Sequence, residues 1–280
     1  MTKELFEKRY EALGGKIEPI KLPRALRINT LKISEPELVK RLSAKGVALK
    51  KIEFLKNGYY AESSFSLGAT PEYLLGLYQL QEAASQLPAE LLNPTEKDLV
   101  LDMCAAPGAK TTQLAQLMNN KGTIIALELK KERLPSLRNN LERLGITNTI
   151  VYKLNAVDAP KLNLRFSKIL LDAPCSGNYI TDPDWFDKRE LEGIKRNAEL
   201  QKKLLKAASE ALEENGIIVY STCSLEPEED EENIKYAVEE LGLKLEDTGI
   251  SIGDSILEKT KRFWPFKTNT QGFFIAKLRK

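Results

Sequence analysis

From residue 98 onward the chain repeats one alternation, a short apolar run followed by a longer stretch whose apolar positions recur every three or four residues. The runs at 98–102, 122–128, 149–154, 167–172 and 216–221 have the length and the abrupt ends of buried strands. Helical patterns fall from about 110, over 130–144, over 188–214 and near 228–240, and a last strand is expected at 271–278. Strands alternating with helices specify a mostly parallel sheet covered on both faces. The expected fold is therefore α/β, a doubly wound, Rossmann-like domain over residues 71–280.

The first 70 residues read differently. A helix is expected at 3–13, with Leu5, Phe6, Tyr10 and Leu13 toward one side and Gly14-Gly15 as its end. A strand follows at 24–29. Ser34-Glu35-Pro36-Glu37 opens a second helix, with Ser34 as N-cap and Glu37 as its capping-box partner; Gly46 ends it, and 47–54 reads as a strand. This spacing predicts a small α+β module over 1–70. Thr70-Pro71-Glu72 signals another start, and 73–92 reads as a helix interrupted at Pro88 that leads into the larger domain. Lys21, Arg24, Arg27, Lys32, Lys40, Arg41, Lys45, Lys50 and Lys51 concentrate positive charge in the small module. They are either a solvated helix face or an RNA-facing patch.

Composition narrows the chemistry. No apolar run approaches the roughly 20 residues of a membrane helix, and the acidic, interrupted start is no signal peptide. A soluble, cytoplasmic protein is expected, with no membrane partner. The net charge of +2 announces no polyanion by itself, although local clustering can. The chain has 280 residues and no histidine, which removes Ser-His-Asp and Cys-His mechanisms and every His-ligated metal. Its three cysteines, at 104, 175 and 223, are too few and too scattered for a disulfide framework or a four-ligand zinc site, so no metal is expected. Nothing calls for an obligate dimer, and a monomer is expected.

All three cysteines follow predicted strands, where open α/β sheets hold their ligands. Strand 167–172 stops at Asp172-Ala-Pro-Cys175-Ser-Gly177. Strand 216–221 stops at Thr222-Cys223-Ser224. Alone, each reads as a strand end with an inert cysteine; together beside an acid they place Cys175 and Cys223 on one ligand. The first strand ends in Asp102-Met-Cys104-Ala105-Ala106-Pro107-Gly108-Ala109-Lys110, small residues that let backbone approach a ligand. The second and third glycines of a pyrophosphate loop are missing, which disfavours a nicotinamide dehydrogenase. Glu128 lies 20 residues after Gly108, the spacing of an acid that holds ribose hydroxyls. The combination fits a nucleoside cofactor without a pyrophosphate, S-adenosylmethionine being the common example; otherwise Glu128 is an acid at a helix start and Cys104 a packing residue.

The blocks 102–111, Asp172-Ala-Pro-Cys-Ser-Gly177 and Tyr220-Ser-Thr-Cys-Ser224 with Glu226-Pro-Glu-Glu229 resemble the signatures of the NOL1/NOP2/Sun family of S-adenosylmethionine-dependent RNA cytosine-5 methyltransferases, in its archaeal tRNA-type form. The resemblance extends to Arg27-Ile-Asn-Thr-Leu-Lys32, Trp264-Pro265 and Gly272-Phe-Phe-Ile-Ala276. It implies that Cys104, Ala105, Ala106, Pro107, Gly108, Ala109 and Lys110 cradle the methionine part of the cofactor, that Glu128 holds the ribose, and that Asp172 borders the same pocket. Asn155 stands where the family usually has an acid near the adenine, Glu128 where Asp is usual, and Ala109 where a second glycine is frequent. Cys223 would add to carbon 6 of cytosine, Asp172 would hydrogen-bond the base, Cys175 would assist removal of the carbon-5 proton and release, and Lys110 would favour a thiolate. The implied partner is RNA, tRNA ahead of rRNA. A non-catalytic RNA-binding assembly factor is the competing class, and its mark would be loss of Cys223, Asp172 or the small-residue loop.

Overall fold

The structure, a computed structural model, describes residues 3–280. In chain order it forms α1 (Lys3–Ala12), β1 (Ala25–Ile28), α2 (Glu35–Ser43), β2 (Ala48–Lys51), β3 (Gly58–Glu62), α3 (Pro71–Leu74), β4 (Tyr78–Leu80) and α4 (Ala83–Leu92). The larger unit follows: β5 (Leu99–Asp102), α5 (Ala109–Leu117), β6 (Thr123–Glu128), α6 (Leu134–Leu144), β7 (Thr149–Lys153) and β8 (Phe166–Asp172). It closes with α7 (Trp185–Lys188), α8 (Leu191–Ala211), β9 (Leu212–Thr222), α9 (Glu231–Glu239), β10 (Lys244–Glu246), β11 (Lys261–Phe263), α10 (Pro265–Thr268) and β12 (Phe273–Arg279).

The large sheet runs β10-β12-β9-β8-β5-β6-β7, with β11 beside β12. Strands β5 to β9 are parallel, and β12 returns antiparallel along β9. This is the Rossmann-like class I methyltransferase sheet. Strand order reverses between β5 and β8, so the loops after those two strands diverge and leave a crevice at their carboxyl ends, the place where such sheets bind ligands. The six expected strands and their helices fall within a few residues of their predicted positions.

The small sheet has the order β2-β3-β1-β4 and is antiparallel. Its last strand lies beyond residue 70, so the expected helix over 73–92 is two helices separated by β4. The residue pattern there is helical, but Leu26, Arg27 and Ile28 offer a free strand edge to Leu80, Gln79 and Tyr78, and long-range pairing overrides local preference. Ser34 does precede α2, yet its side chain makes no capping bond. Glu37 pairs with Arg41 one turn on instead.

Two parts of the first 70 residues belong with the larger unit. Helix α1 buries Phe6 and Tyr10 against Trp185, Trp264 and Leu225, and Arg9 holds Glu226 and Glu228 at 2.9 and 2.6 Å. Arg27, expected among surface charges, is buried: its guanidinium donates to Gln81, Gln116, Thr112 and the Ala109 carbonyl. It ties β1 to the first turn of α5. Ala25, Ile52 and Leu55 of the small unit share one apolar cluster with Val100, Leu114 and Phe273, so the two sheets are packed together rather than linked by a hinge.

Candidate active site

The register of β8 on β9 sets Asp172 beside Ser221. Three residues past Asp172 and two past Ser221, the chain presents Cys175 and Cys223 on one rim, and their sulfurs lie 3.0 Å apart. Gly177 then turns the chain with φ of +73°, a conformation L side chains avoid. Asn178, fully buried, donates to the carbonyls of Cys223 and Gly272 at 2.8 and 3.0 Å and so locks the two cysteine loops together. Glu229 does the same from behind: its carboxylate accepts from the Ser176 amide, the Ser176 hydroxyl and Asn197. Burial raises the pKa of Glu229, so these donors are what keep a carboxylate tolerable there.

Lys110 reaches across from α5 to Asp172, Nζ to Oδ2 2.7 Å, while Ser221 donates to the other carboxylate oxygen at 2.8 Å. The ammonium also donates to Ser85 Oγ at 2.9 Å and lies 5.6 Å from the Phe273 ring centroid. The two thiols are not equivalent. The hydrogen bond with Cys175 lowers the pKa of Cys223 and Lys110 lowers it further, against the opposing effects of burial and Asp172. The same hydrogen bond and burial push Cys175 well up. Of the two sulfurs, Cys223 is the one that gives up its proton more readily. An adjoining cavity of about 410 Å³ has Cys175 and Ser176 on its wall, faced by Lys188, Arg189 and Arg196.

The loop after β5 occupies the switch point. Gly108 has φ of +103°, and a Cβ there would come within 2.9 Å of Leu137, so the position takes glycine for both reasons. Ala109 is the first residue of α5, where its backbone is ordinary for an L-residue. Asp102, fully buried beneath the loop, accepts from Thr111 Oγ at 2.7 Å, and burial raises its pKa to about 6. Burial, then the Asp102 and Asp172 carboxylates, push the Cys104 thiol far above its usual value. Glu128 ends β6 buried, accepting the Lys130 amide at 2.8 Å with Arg133 at 3.4 Å. Asn155 is exposed past the end of β7, its side-chain oxygen taking the Val157 amide at 3.2 Å.

The structure thus gathers Lys110, Asp172, Cys175 and Cys223 at one point, with 104–109 and Glu128 along the same rim and Asn155 at its outer end. Asn178, Ser85 and Ser221 escape sequence reasoning. Ser85 stands 25 residues before Lys110 on another helix, with no local pattern to mark it. Asn178 directly follows Gly177 at the end of the Asp172–Gly177 block, and that adjacency is the signal that could have found it. Among the described residues, no group of three or more His, Cys, Asp or Glu side chains is placed to hold a metal, and no helix is long and apolar enough to cross a membrane.

Residues 89–279 match the family model described as 16S rRNA methyltransferase RsmB/F, and residues 1–83 match that of the N-terminal domain of 16S rRNA methyltransferase RsmF. The chain belongs to the NOL1/NOP2/Sun family. Similar curated proteins include a 28S rRNA (cytosine-C(5))-methyltransferase of Mus musculus, 41% identical over 92% of this chain and 35% of that protein. A tRNA (cytosine(72)-C(5))-methyltransferase of Pyrococcus horikoshii is 42% identical over 77% of this chain and 55% of that protein. The chain therefore spans about a third to a little over half the length of these family relatives. Among solved structures, a methyltransferase homologue from P. horikoshii aligns with a TM-score of 0.86 at 40% identity, covering 99% of this chain and 95% of that one. NSun6 from P. horikoshii with SFG aligns at 0.88 and 30%, covering 99% and 94%.

Proposed function

We propose that this protein methylates carbon 5 of cytosine in RNA, with S-adenosylmethionine as donor and tRNA as substrate. The observation that carries the reading is the contact between Cys175 and Cys223 beside the Lys110–Asp172 pair. Carbon 5 of cytosine is a poor nucleophile, and a thiolate adding at carbon 6 changes that. Cys223 would form the S–C6 bond while Asp172 faces the N3 and amino edge of the base and relays a proton from the Lys110 ammonium to N3 as ring electrons shift. S-adenosylmethionine supplies an activated methyl group when bound. Cys175, having passed its own proton to solvent, would then take the carbon-5 proton, the S–C6 bond would break to return Cys223 as thiolate, and N3 would give its proton back through Asp172. Two sulfurs in contact suit these paired tasks, since Cys175 can donate to the Cys223 thiolate before attack and stands beside the adduct after it.

The residues present suit the donor. The small side chains of Ala105, Ala106 and Gly108 leave the backbone open at the switch point, Glu128 offers a buried carboxylate to ribose hydroxyls, and Asn155 an amide at the outer end. Support comes also from the solved NSun6 with SFG, an analogue of this cofactor. Among RNAs, the 42% identical tRNA (cytosine(72)-C(5))-methyltransferase favours tRNA. The 28S rRNA relative at 41% favours rRNA as the second reading.

The test is incubation of unmodified tRNA and rRNA with the protein and S-adenosylmethionine, followed by bisulfite sequencing. New 5-methylcytosine in tRNA is expected. New marks in rRNA alone would select the second reading, and none in either would overturn both.

A further inference from the structure

At the edge of the face that the small sheet turns to the larger unit lies a groove of about 670 Å³, lined by Lys21, Arg24, Lys50, Tyr60 and Glu62 and, from the larger unit, Asn269. Three cations and one carboxylate line it. Arg41, Lys45 and Lys51 are each neutralised, by Glu37, Glu72 and Glu35. Lys21, Arg24 and Lys50 reach solvent and form no ion pair among the described residues. Lys40 and Lys56 of the small unit are also unpaired among the described residues, so what marks these three is that they line one groove with a single ring.

That ring belongs to Tyr60 on β3. Lys50 lies directly opposite it on β2, so both point to the same face, and the next pair along that face is Ala48 with Glu62. The small Ala48 keeps the groove open beside the ring. Tyr60 is half-buried, packed on one side against the shared apolar cluster and open on the other. The groove also leads somewhere. Glu82 accepts the amides of Gln271 and Ser85. Ser85 in turn holds Lys110. One chain of contacts therefore runs from Gln271, two residues past the groove's Asn269, to the Lys110–Asp172 pair.

We infer that this groove is a subsite for single-stranded RNA flanking the target cytosine, with Tyr60 stacking one unpaired base and Arg24 and Lys50 holding phosphates. An aromatic face ringed by uncompensated cations is how proteins bind unstacked strands with little sequence demand. A duplex has no free base face to offer the ring. The subsite rests on the proposed RNA reading and specifies which part of the RNA meets the small sheet.

The experiment measures equilibrium binding of a short single-stranded RNA by the full chain across a salt series, without methyl transfer. Tyr60→Ala is expected to weaken binding about 10-fold or more, and Tyr60→Trp to restore it. Arg24→Gln and Lys50→Gln should each flatten the log–log salt slope by about 0.7, and the paired Arg41→Gln should leave it unchanged. Binding by Tyr60→Ala within about twofold of wild type, or unchanged slopes in both cation variants, would overturn the subsite. So would equal weakening of a blunt RNA duplex. If Tyr60→Ala fails to fold, the exposed cation variants decide the matter through their slopes. A wild-type protein that binds no RNA would instead overturn the proposed function itself.

Discussion

The three cysteines sit at the same topological place, just past the carboxyl ends of neighbouring parallel strands, and their surroundings make them opposites. Cys104 faces carboxylates: Asp102, Asp172 and Glu128 add to burial in holding its proton. Cys223 faces a second thiol and the ammonium of Lys110, and its proton is loosened. Position on a Rossmann-like rim therefore does not make a thiol reactive. A hydrogen-bonding second sulfur does: Cys175 lowers the Cys223 pKa. The lysine that α5 brings to the β8–β9 side offsets part of the opposing burial and Asp172 charge, while around Cys104 the carboxylates act with burial.

Variants can break this contrast at either end. The largest effect belongs to Cys223→Ala, which should reduce methyl transfer by about 10⁴-fold or more, as expected for loss of an acting nucleophile, with cofactor binding by calorimetry intact. Lys110→Met should lower kcat by roughly 10²–10³-fold. It should also move the pH–rate midpoint upward, because the rate falls as pH drops through the Cys223 pKa and removing the cation raises that pKa. A rate profile with an unmoved midpoint would show that Lys110 does not activate the thiol.

On the acidic side, the effect is on stability. Burial lifts Asp102 from 3.8 to about 6 in the folded chain, so folding favours its protonated form. That contribution is complete below about pH 4 and is lost as the pH rises through about 6. Asp102→Asn cannot ionise, so chemical denaturation should show it gaining on wild type by about 3 kcal/mol between about pH 4 and pH 7, since a tenfold change in proton affinity corresponds to about 1.4 kcal/mol. The smallest effect is expected of Cys104→Ala, whose activity should be unchanged and whose stability should fall by about 1 kcal/mol. Alkylation with iodoacetamide should label Cys223 and spare Cys104.

The larger sheet was legible in the chain because each of its inner strands is a continuous apolar run buried on both faces, as at Ile169–Leu171 and Ile217–Val219. The small sheet was less so. Strands β3 and β4 exist through pairing with β1, and Tyr78-Gln-Leu80 carries no period of its own. The site divides in the same way. Asp172, Cys175 and Cys223 are marked by abrupt strand ends, and β8–β9 register does the rest. Ser85 and the tie from Arg27 to α5 depend on how the two sheets face each other, which no stretch of sequence encodes locally. Helix α1 shows the same limit: its apolar side is plain, but only packing reveals that it faces Trp185 and Trp264 rather than the small sheet.

The most direct measurement uses Cys175→Ala with RNA and S-adenosylmethionine, resolved on a denaturing gel and mapped by mass spectrometry. With proton removal and release impaired, a slow-migrating covalent complex is expected, its RNA mass sitting on the peptide that contains Cys223. Full turnover with no such complex, or an RNA adduct on any other residue, would contradict the division of labour between the two thiols.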